Sequence, residues 1–387
     1  MTAGQTAIAL VHSLLLGILL SCGGSSSGGP PPPPPTAECA SATYFPCQQG
    51  WLGADGAYSV PLGNGNNLWI FADTFVGAAT ATSRTQANGF IHNSIATSTC
   101  SGQSCSYQYY WPGMNTSNQG PVFSVPGSGT DWFWPMDGFV YNGTLYLAFM
   151  QMHSTGSGGA FGFAYSGAQL ASISNYTASP NQWSITYQDL NTGGSAVPGA
   201  SIVVGQGPNG NPDPSNSQGA NYAYFFTVVP ASNSSTPPSM ALLRLPLTQL
   251  NSATRPGNPN WEYLKTDSTW GSWLDTDTVL PNDSAGVINP GATEMTVRYH
   301  SSTNQWIAVY PLGLDNEAHY AISSSMTNSW GASEISILIR RCSPAIRTIL
   351  PTFSAMPPKS TQNLSQRASS FSPTPATRRR RAMSPTI

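Results

Sequence analysis

Apolar residues in this chain come in short runs that break at Gly, Pro, Asn and Ser, and long helical patterns are missing. Runs rich in Val, Ile, Tyr, Phe and Trp between such breakers predict strands and turns. One phrase recurs four times: a short strand, a Gly/Asn turn, then a strongly apolar aromatic strand. The copies read AYSVPLGNGNNLWIFAD, DGFVYNGTLYLAFM, SIVVGQ…ANYAYFFTVV and EMTVRYHSSTNQWIAVY. Leu68, Leu145, Tyr222 and Trp306 mark equivalent places, 77, 77 and 84 residues apart. Neighbouring runs predict about four strands per unit, over roughly 50–115, 130–190, 198–265 and from 287 onward. A fixed period of β units predicts a radial repeat rather than a sandwich. Within each unit the apolar run, LWIFA or YAYFF, predicts a strand buried on both faces.

Composition narrows the class. The 387 residues suffice for one large all-β domain with a substantial core. Charged residues are only 8 %. Residues 1–331 hold five basic side chains against fifteen acidic ones, whereas residues 332–387 hold nine against Glu334 alone. The body is therefore acidic, which gives no support to a nucleic-acid partner. No Trp or Tyr occurs after Trp330, and Arg378–Arg381 is a basic run. Residues 334–387 are accordingly expected to be a basic tail, disordered or frameshifted.

The N-terminus predicts export. Residues 7–20 are apolar but short for a spanning helix, and end in Leu19-Leu20-Ser21-Cys22. This resembles the bacterial lipobox, although residues 1–11 lack Lys and Arg. The expectation is a signal peptide over 1–22 with a lipidated Cys22, then a Gly/Ser/Pro-rich tether over 23–47. An ordinary cleaved signal peptide is the alternative. The protein is thus expected to be a membrane-anchored lipoprotein, periplasmic or at the cell surface. Cys39/Cys47 and Cys100/Cys105 are locally spaced pairs that can close small disulfide loops in an oxidising compartment.

Three repeat copies carry an acid at or just before the first strand: Asp55, Asp137 and Glu294. Acids at one place in successive units gather around one axis. Such a carboxylate cluster in a single pocket can keep one carboxyl protonated and another ionised, as acid/base chemistry needs. Asp55 and Asp137 also sit in Asp-Gly, a turn dipeptide, whereas turn chemistry does not call for Glu294. Asp73 in FADTF, His92 and Asn93 in FIHNS, and Trp134 beside Asp137 are candidates for substrate contacts in that pocket, the Trp as a stacking platform. Core roles compete for each of them. Asp213, Asp275 and Asp277 lie in polar loops able to take structural calcium. No catalytic metal or organic cofactor is expected, and no phosphate-loop, HExxH or dinucleotide motif occurs.

The segments GADGAYSVPL, LWIFADTFVG, FIHNS, WPMDGFVYNGTLYLAF, WEYLKTDSTW, EMTVRYHSSTNQWIAVY and SWGASE resemble five-bladed glycoside-hydrolase propellers. The likeness is to bacterial surface proteins of the endo-D-arabinanase type and, more distantly, to the arabinanase/β-xylosidase clan. It implies an all-β five-bladed β-propeller over 48–333, with the fifth blade missing or truncated in this chain. It also implies Asp55 as general base, Asp137 as the residue tuning the acid, and Glu294 as general acid. The expected function is cleavage of an arabinose-containing polysaccharide by a monomer. The alternative is a non-catalytic carbohydrate-binding or scaffold propeller.

Overall fold

In the computed structural model, strands form wherever an apolar run is bounded by turn residues. The structure describes residues 45–338, except 64, 102–103, 157–161, 192, 206–221, 231–236, 255–257, 274–279, 301, 313–316, 329 and 332–333. The protein is all-β, and its only helical pieces among the described residues are three short 3-10 turns.

Four antiparallel meanders follow one another along the chain. The first joins β2 (Tyr58–Gly63) and β3 (Asn66–Phe71) to β6 (Ser94–Ser101) and β7 (Ser104–Tyr110). Between these lie β4 (Thr74–Gly77) and β5 (Ala87–Ile91), which pair instead with β1 (Trp51–Ala54) in a separate three-stranded sheet. The second meander is β8 (Trp132–Tyr141), β9 (Thr144–Ser154), β10 (Phe163–Ile173) and β11 (Ile185–Asn191). The third is β12 (Val197–Gly205), β13 (Tyr222–Val229), β14 (Ser239–Pro246), β15 (Glu262–Leu264) and β16 (Trp270–Ser272). β17 (Gly286–Ile288) returns to pair with β14 beside β15. The fourth is β18 (Thr296–His300), β19 (Gln305–Pro311), β20 (Glu317–Ser323) and β21 (Glu334–Leu338). β8 packs against both β2 and β12, and β12 against β18, so the leading strands lie side by side.

The recurring aromatic strand is buried on both faces in the first three meanders. Leu68, Trp69, Ile70 and Phe71 of β3, Leu145 to Phe149 of β9, and Ala223 to Phe226 of β13 are all buried. A strand buried on both faces cannot alternate, which is why these runs read as continuous apolar sequence.

Three expected boundaries move. The runs LWIFADTF and FIHNSIATSTC, which the pattern of the first unit counts as one strand each, are not single strands. Each breaks at a polar step, Ala72-Asp73 and His92-Asn93, and the outer halves leave for the β1 sheet. The tether does not extend to 47. Phe45 packs 4.7 Å from the Trp69 ring and 5.2 Å from Phe71, and Tyr109 donates to the Pro46 carbonyl at 3.2 Å. The folded body also runs past 333, because Glu334–Leu338 pairs with β20. The EISIL run is a short β pattern that the basic composition around it obscured. Residues 1–44 and 339–387, with Cys22, Cys39 and the lipobox, lie outside the described residues. No helix among the described residues is long and apolar enough to cross a membrane.

Cys100 and Cys105 face each other across the β6–β7 hairpin and are joined in a disulfide. Cys47 is also disulfide-bonded, and Cys39, expected as its partner, lies outside the described residues. Closing so short a loop restricts the unfolded chain by about 2 kcal/mol. The Cys100→Ser/Cys105→Ser variant is expected to lose about that much stability in urea unfolding, with the fold retained.

Candidate functional site

Asp55 follows β1, whose register is irregular between Trp51 and Gly53. Gly53 has φ +129°, and a Cβ there would lie 2.4 Å from an Arg84 nitrogen. Glycine therefore lets Arg84 cross this strand, where its Nε donates to the Leu52 carbonyl at 3.2 Å. Backbone hydrogen bonds then tie Asp55 to the end of β3. Asp55 N donates to Asp73 O at 2.9 Å, and Ala72 N to Asp55 O at 2.8 Å. Burial, and next the neighbouring Asp73 charge, raise the Asp55 carboxyl from its ordinary 3.8 to about 6, against the opposing pull of Arg84.

Asp73 is held in turn. Its Oδ1 accepts from Trp134 Nε1 at 2.9 Å and lies 2.9 Å from His92 Nδ1. The His92 ring stacks on Trp132 with centroids 4.4 Å apart and planes 13° from parallel. Phe90 meets His92 edge-on at 5.8 Å and is 52 % exposed, rare for a large apolar residue among the described residues. A partly exposed row of rings, Phe90, His92 and Trp132, thus leads to the two aspartates.

Asp137 occupies a different environment. β8 loses register between Pro135 and Gly138, and β12 between Pro198 and Ser201. Such bulges re-aim side chains. In β12, Gly199 has φ +104°, and a Cβ there would sit 2.5 Å from that of Ala148. Asp137 is 1 % exposed. Its oxygens accept from Gly138 N at 2.8 Å, Ser201 Oγ at 2.9 Å and Ile202 N at 2.9 Å. Arg298 completes the set with a forked contact, at 3.1 Å to Oδ2 and 3.3 Å to Oδ1. Ser201 Oγ also accepts from Val297 N at 3.0 Å. One buried node therefore ties the leading strands of meanders two, three and four.

Glu294 sits just before β18, and Tyr58 begins β2. The Tyr58 hydroxyl donates to the Thr293 carbonyl at 3.4 Å. Burial first, then the charges of Glu294 and Asp137, hold the Tyr58 phenol well above its ordinary 10. Both acids therefore lie within electrostatic reach of a tyrosine only three residues after Asp55.

The expected site residues divide accordingly. Asp55, Asp73, His92 and Trp134 share one hydrogen-bonded neighbourhood, and Asp137 and Glu294 share Tyr58. Two expectations are corrected. Asn93 is no surface ligand: fully buried, it donates to Phe123 O at 2.9 Å and Phe133 O at 3.1 Å, and accepts from Phe123 N at 2.8 Å. Trp134 is no open platform either, since it is buried, meets Phe163 edge-on at 5.0 Å and spends its N–H on Asp73. Trp132, two residues earlier and therefore on the same sheet face, takes the more accessible place. Asp213, Asp275 and Asp277 lie outside the described residues. Among the described residues no three His, Cys, Asp or Glu side chains are grouped to hold a metal ion.

Sequence reasoning missed Tyr58, Phe90, Trp132, Ser201 and Arg298. Only Arg298 left a usable signal: it is one of five cations in residues 1–331. In so sparsely charged a body, a cation calls for a carboxylate partner, which the fold supplies as Asp137.

A family described as a domain of unknown function (DUF5005) matches residues 41–289, well over half of the chain, and the protein belongs to it. No curated protein matches the sequence. Among solved structures, a provisionally assigned hydrolase from Bacteroides ovatus aligns with a TM-score of 0.52 at 16 % identity, over 76 % of this chain and 71 % of that one. The exo-β-1,3-galactanase from Phanerochaete chrysosporium, bound to β-1,3-galactotriose, aligns with a TM-score of 0.37 at 14 % identity, over 73 % of this chain and 50 % of its own. A GH43_1 enzyme from Xanthomonas citri gives 0.36 at 13 % identity, over 73 % and 74 %. The likeness to the Bacteroides protein is one of fold.

Proposed function

We propose that this member of a family of unknown function is a glycoside hydrolase of propeller type that cleaves a neutral, arabinose-containing polysaccharide. The observation that carries the reading is Asp55: a half-buried carboxyl raised to about 6 beside a second carboxyl, at the end of a row of partly exposed rings. A carboxyl so poised exchanges protons near neutral pH, which glycosidic cleavage requires of one group of the pair. Asp73 keeps its partner's pKa up and is itself fixed by Trp134 and His92. Glu294, brought to the same leading strands by Tyr58, is the second reacting carboxyl, assigned as general acid. The four meanders act as blades of a five-bladed propeller, whose leading strands line the site. The anchor expected at Cys22 would hold such a domain at an envelope surface.

Asp137 favours a second reading. Its charge is already matched by Arg298, so it anchors strands rather than tuning an acid. With one expected catalytic carboxyl so committed, a site that binds sugar without cleaving it is the competing function.

The test is release of reducing ends from arabinan, xylan and galactan by the wild type and by Glu294→Gln. Turnover that falls about 10²–10⁴-fold in the variant supports hydrolysis. Undiminished turnover refutes the assignment, and binding without turnover in the wild type selects the second reading. The rings give a separate expectation. Trp132→Ala removes the stacking face beside His92, worth about 1 kcal/mol or more in sugar contact. KM is expected to rise about fivefold to tenfold with kcat little changed, as steady-state kinetics on a soluble oligosaccharide would show.

A further inference from the structure

A polar cavity of about 390 Å³ opens beside β9, β10 and β11 of the second meander. The 125–128 loop forms one wall, and Gln151, Ser166, Gln169 and Asp189 line the sheet side. The sheet here carries a ladder of side-chain hydrogen bonds where alternation would permit apolar residues. Gln151 Nε2 donates to Asp131 Oδ2 at 2.9 Å, and Gln169 Nε2 donates to Gln151 Oε1 at 3.2 Å and to Asp189 Oδ1 at 2.9 Å. Both partners of Gln169 Nε2 are acceptors, so the amide has only one sensible orientation. Its carbonyl Oε1 is then left buried with no donor, on a side chain only 9 % exposed. An orphaned buried acceptor in a native fold calls for a partner.

The lining specifies that partner. Among the described residues no Lys or Arg lines the cavity, and its sheet side is rich in acceptors. A ligand must bring hydrogen-bond donors and no negative charge. A bare cation needs oxygens closing to about 2.3–2.6 Å, far tighter than this space. A sugar ring fits it, since small-ligand sites begin at about 300 Å³. The position agrees. Phe133 pairs with Gln151, Gln151 with Gly167, and Gln169 with Asp189, so the cavity lies at the same end of the sheet as Trp134, the residue that holds Asp73.

We propose that this cavity is an accessory sugar-binding site, which takes one ring of a neutral polysaccharide through hydroxyls donated to Gln169 Oε1 and the Asp189 carboxylate. It rests on the carbohydrate reading given above and adds a second point of grip on the same polymer. Gels cast with arabinan, xylan or galactan supply the test, with Asp55→Asn as the parent so that the probe stays intact. Gln169→Leu removes the orphaned acceptor. Pro126→Trp fills the cavity from its exposed loop and covers the case in which the buried substitution unfolds the sheet. Affinity read from retardation is expected to fall about tenfold or more in both, for at least one polymer. In an otherwise wild-type background, cleavage of a short soluble substrate is expected to stay unchanged. Equal retardation of Pro126→Trp and its parent overturns the proposal, as does a parent retarded by none of the polymers. So does calcium chloride binding, measured by calorimetry, that Gln169→Leu abolishes while retardation persists. If the wild type is retarded and both variants are not, but nothing is ever cleaved, the accessory site stands and the hydrolase reading falls.

Discussion

Asp55→Asn is expected to remove nearly all polysaccharide cleavage, about 10²–10⁴-fold in kcat/KM, while making the protein more stable at neutral pH. The two effects share one cause. The folded protein raises this carboxyl from 3.8 to about 6, so the native state binds the proton more tightly than the unfolded chain does. The stability linked to Asp55 is fully present below about pH 3.8 and is lost as pH rises through about 6. Above that, the ionised and partly desolvated carboxylate costs the fold on the order of 2 kcal/mol. Asparagine stays neutral and escapes the cost. Thermal unfolding at pH 7.5 should show Asp55→Asn melting a few degrees above the wild type, the gap closing near pH 4. In the wild type, kcat/KM should rise with pH through about 6, as a base that must be ionised requires. A variant that cleaves normally, or that melts lower at pH 7.5, removes Asp55 from the proposed role.

Arg298→Met is expected to destabilise the fold by about 3 kcal/mol. Asp137 is 1 % exposed, and its charge has no other cationic partner among the contacts described. Removing one member of a buried pair costs about 3–5 kcal/mol, mostly through the charge left behind. Arg298 is itself partly exposed, which places the expectation at the low end, about 3 kcal/mol in urea unfolding. The double variant Asp137→Asn/Arg298→Met should recover part of that loss. Full recovery is not expected, because Gly138 N, Ser201 Oγ and Ile202 N all donate to these oxygens and an amide nitrogen cannot accept. A loss below about 1 kcal/mol in the single variant would mean that the node is not what binds the leading strands.

The all-β class and the two-face burial of LWIF, LYLAF and AYFF were legible because a doubly buried strand must be continuously apolar. The detachment of β4 and β5 was not. Nothing local in LWIFADTF separates a bend at Asp73 from a strand that continues, and only the pairing with β1, distant in sequence, decides it. The same limit governed the site. Asp55 and Asp73 were visible as acids, but their coupling comes from reciprocal backbone bonds between separate segments. Asn93 and Trp134 were misjudged because residue type gives chemistry without direction. A strand sends alternate side chains to opposite faces, and one polar break upstream changes which face is which. Arg298 and Ser201 stayed hidden because bulges, whose positions propensity does not encode, turn Asp137 and Ser201 toward each other.

The buried node has a bearing on how the protein is made. Pairing inside each meander is local, and such hairpins form soon after their residues leave the ribosome. The node is not local: Ser201 lies 64 residues beyond Asp137, and Arg298 lies 161 beyond it. During synthesis, the second meander exists for a long interval with Asp137 lacking its cation. Glu294, the assigned acid, emerges only four residues before that cation. The last charge that locks the frame and the last carboxyl that arms the site thus arrive together, and a half-made chain carries neither.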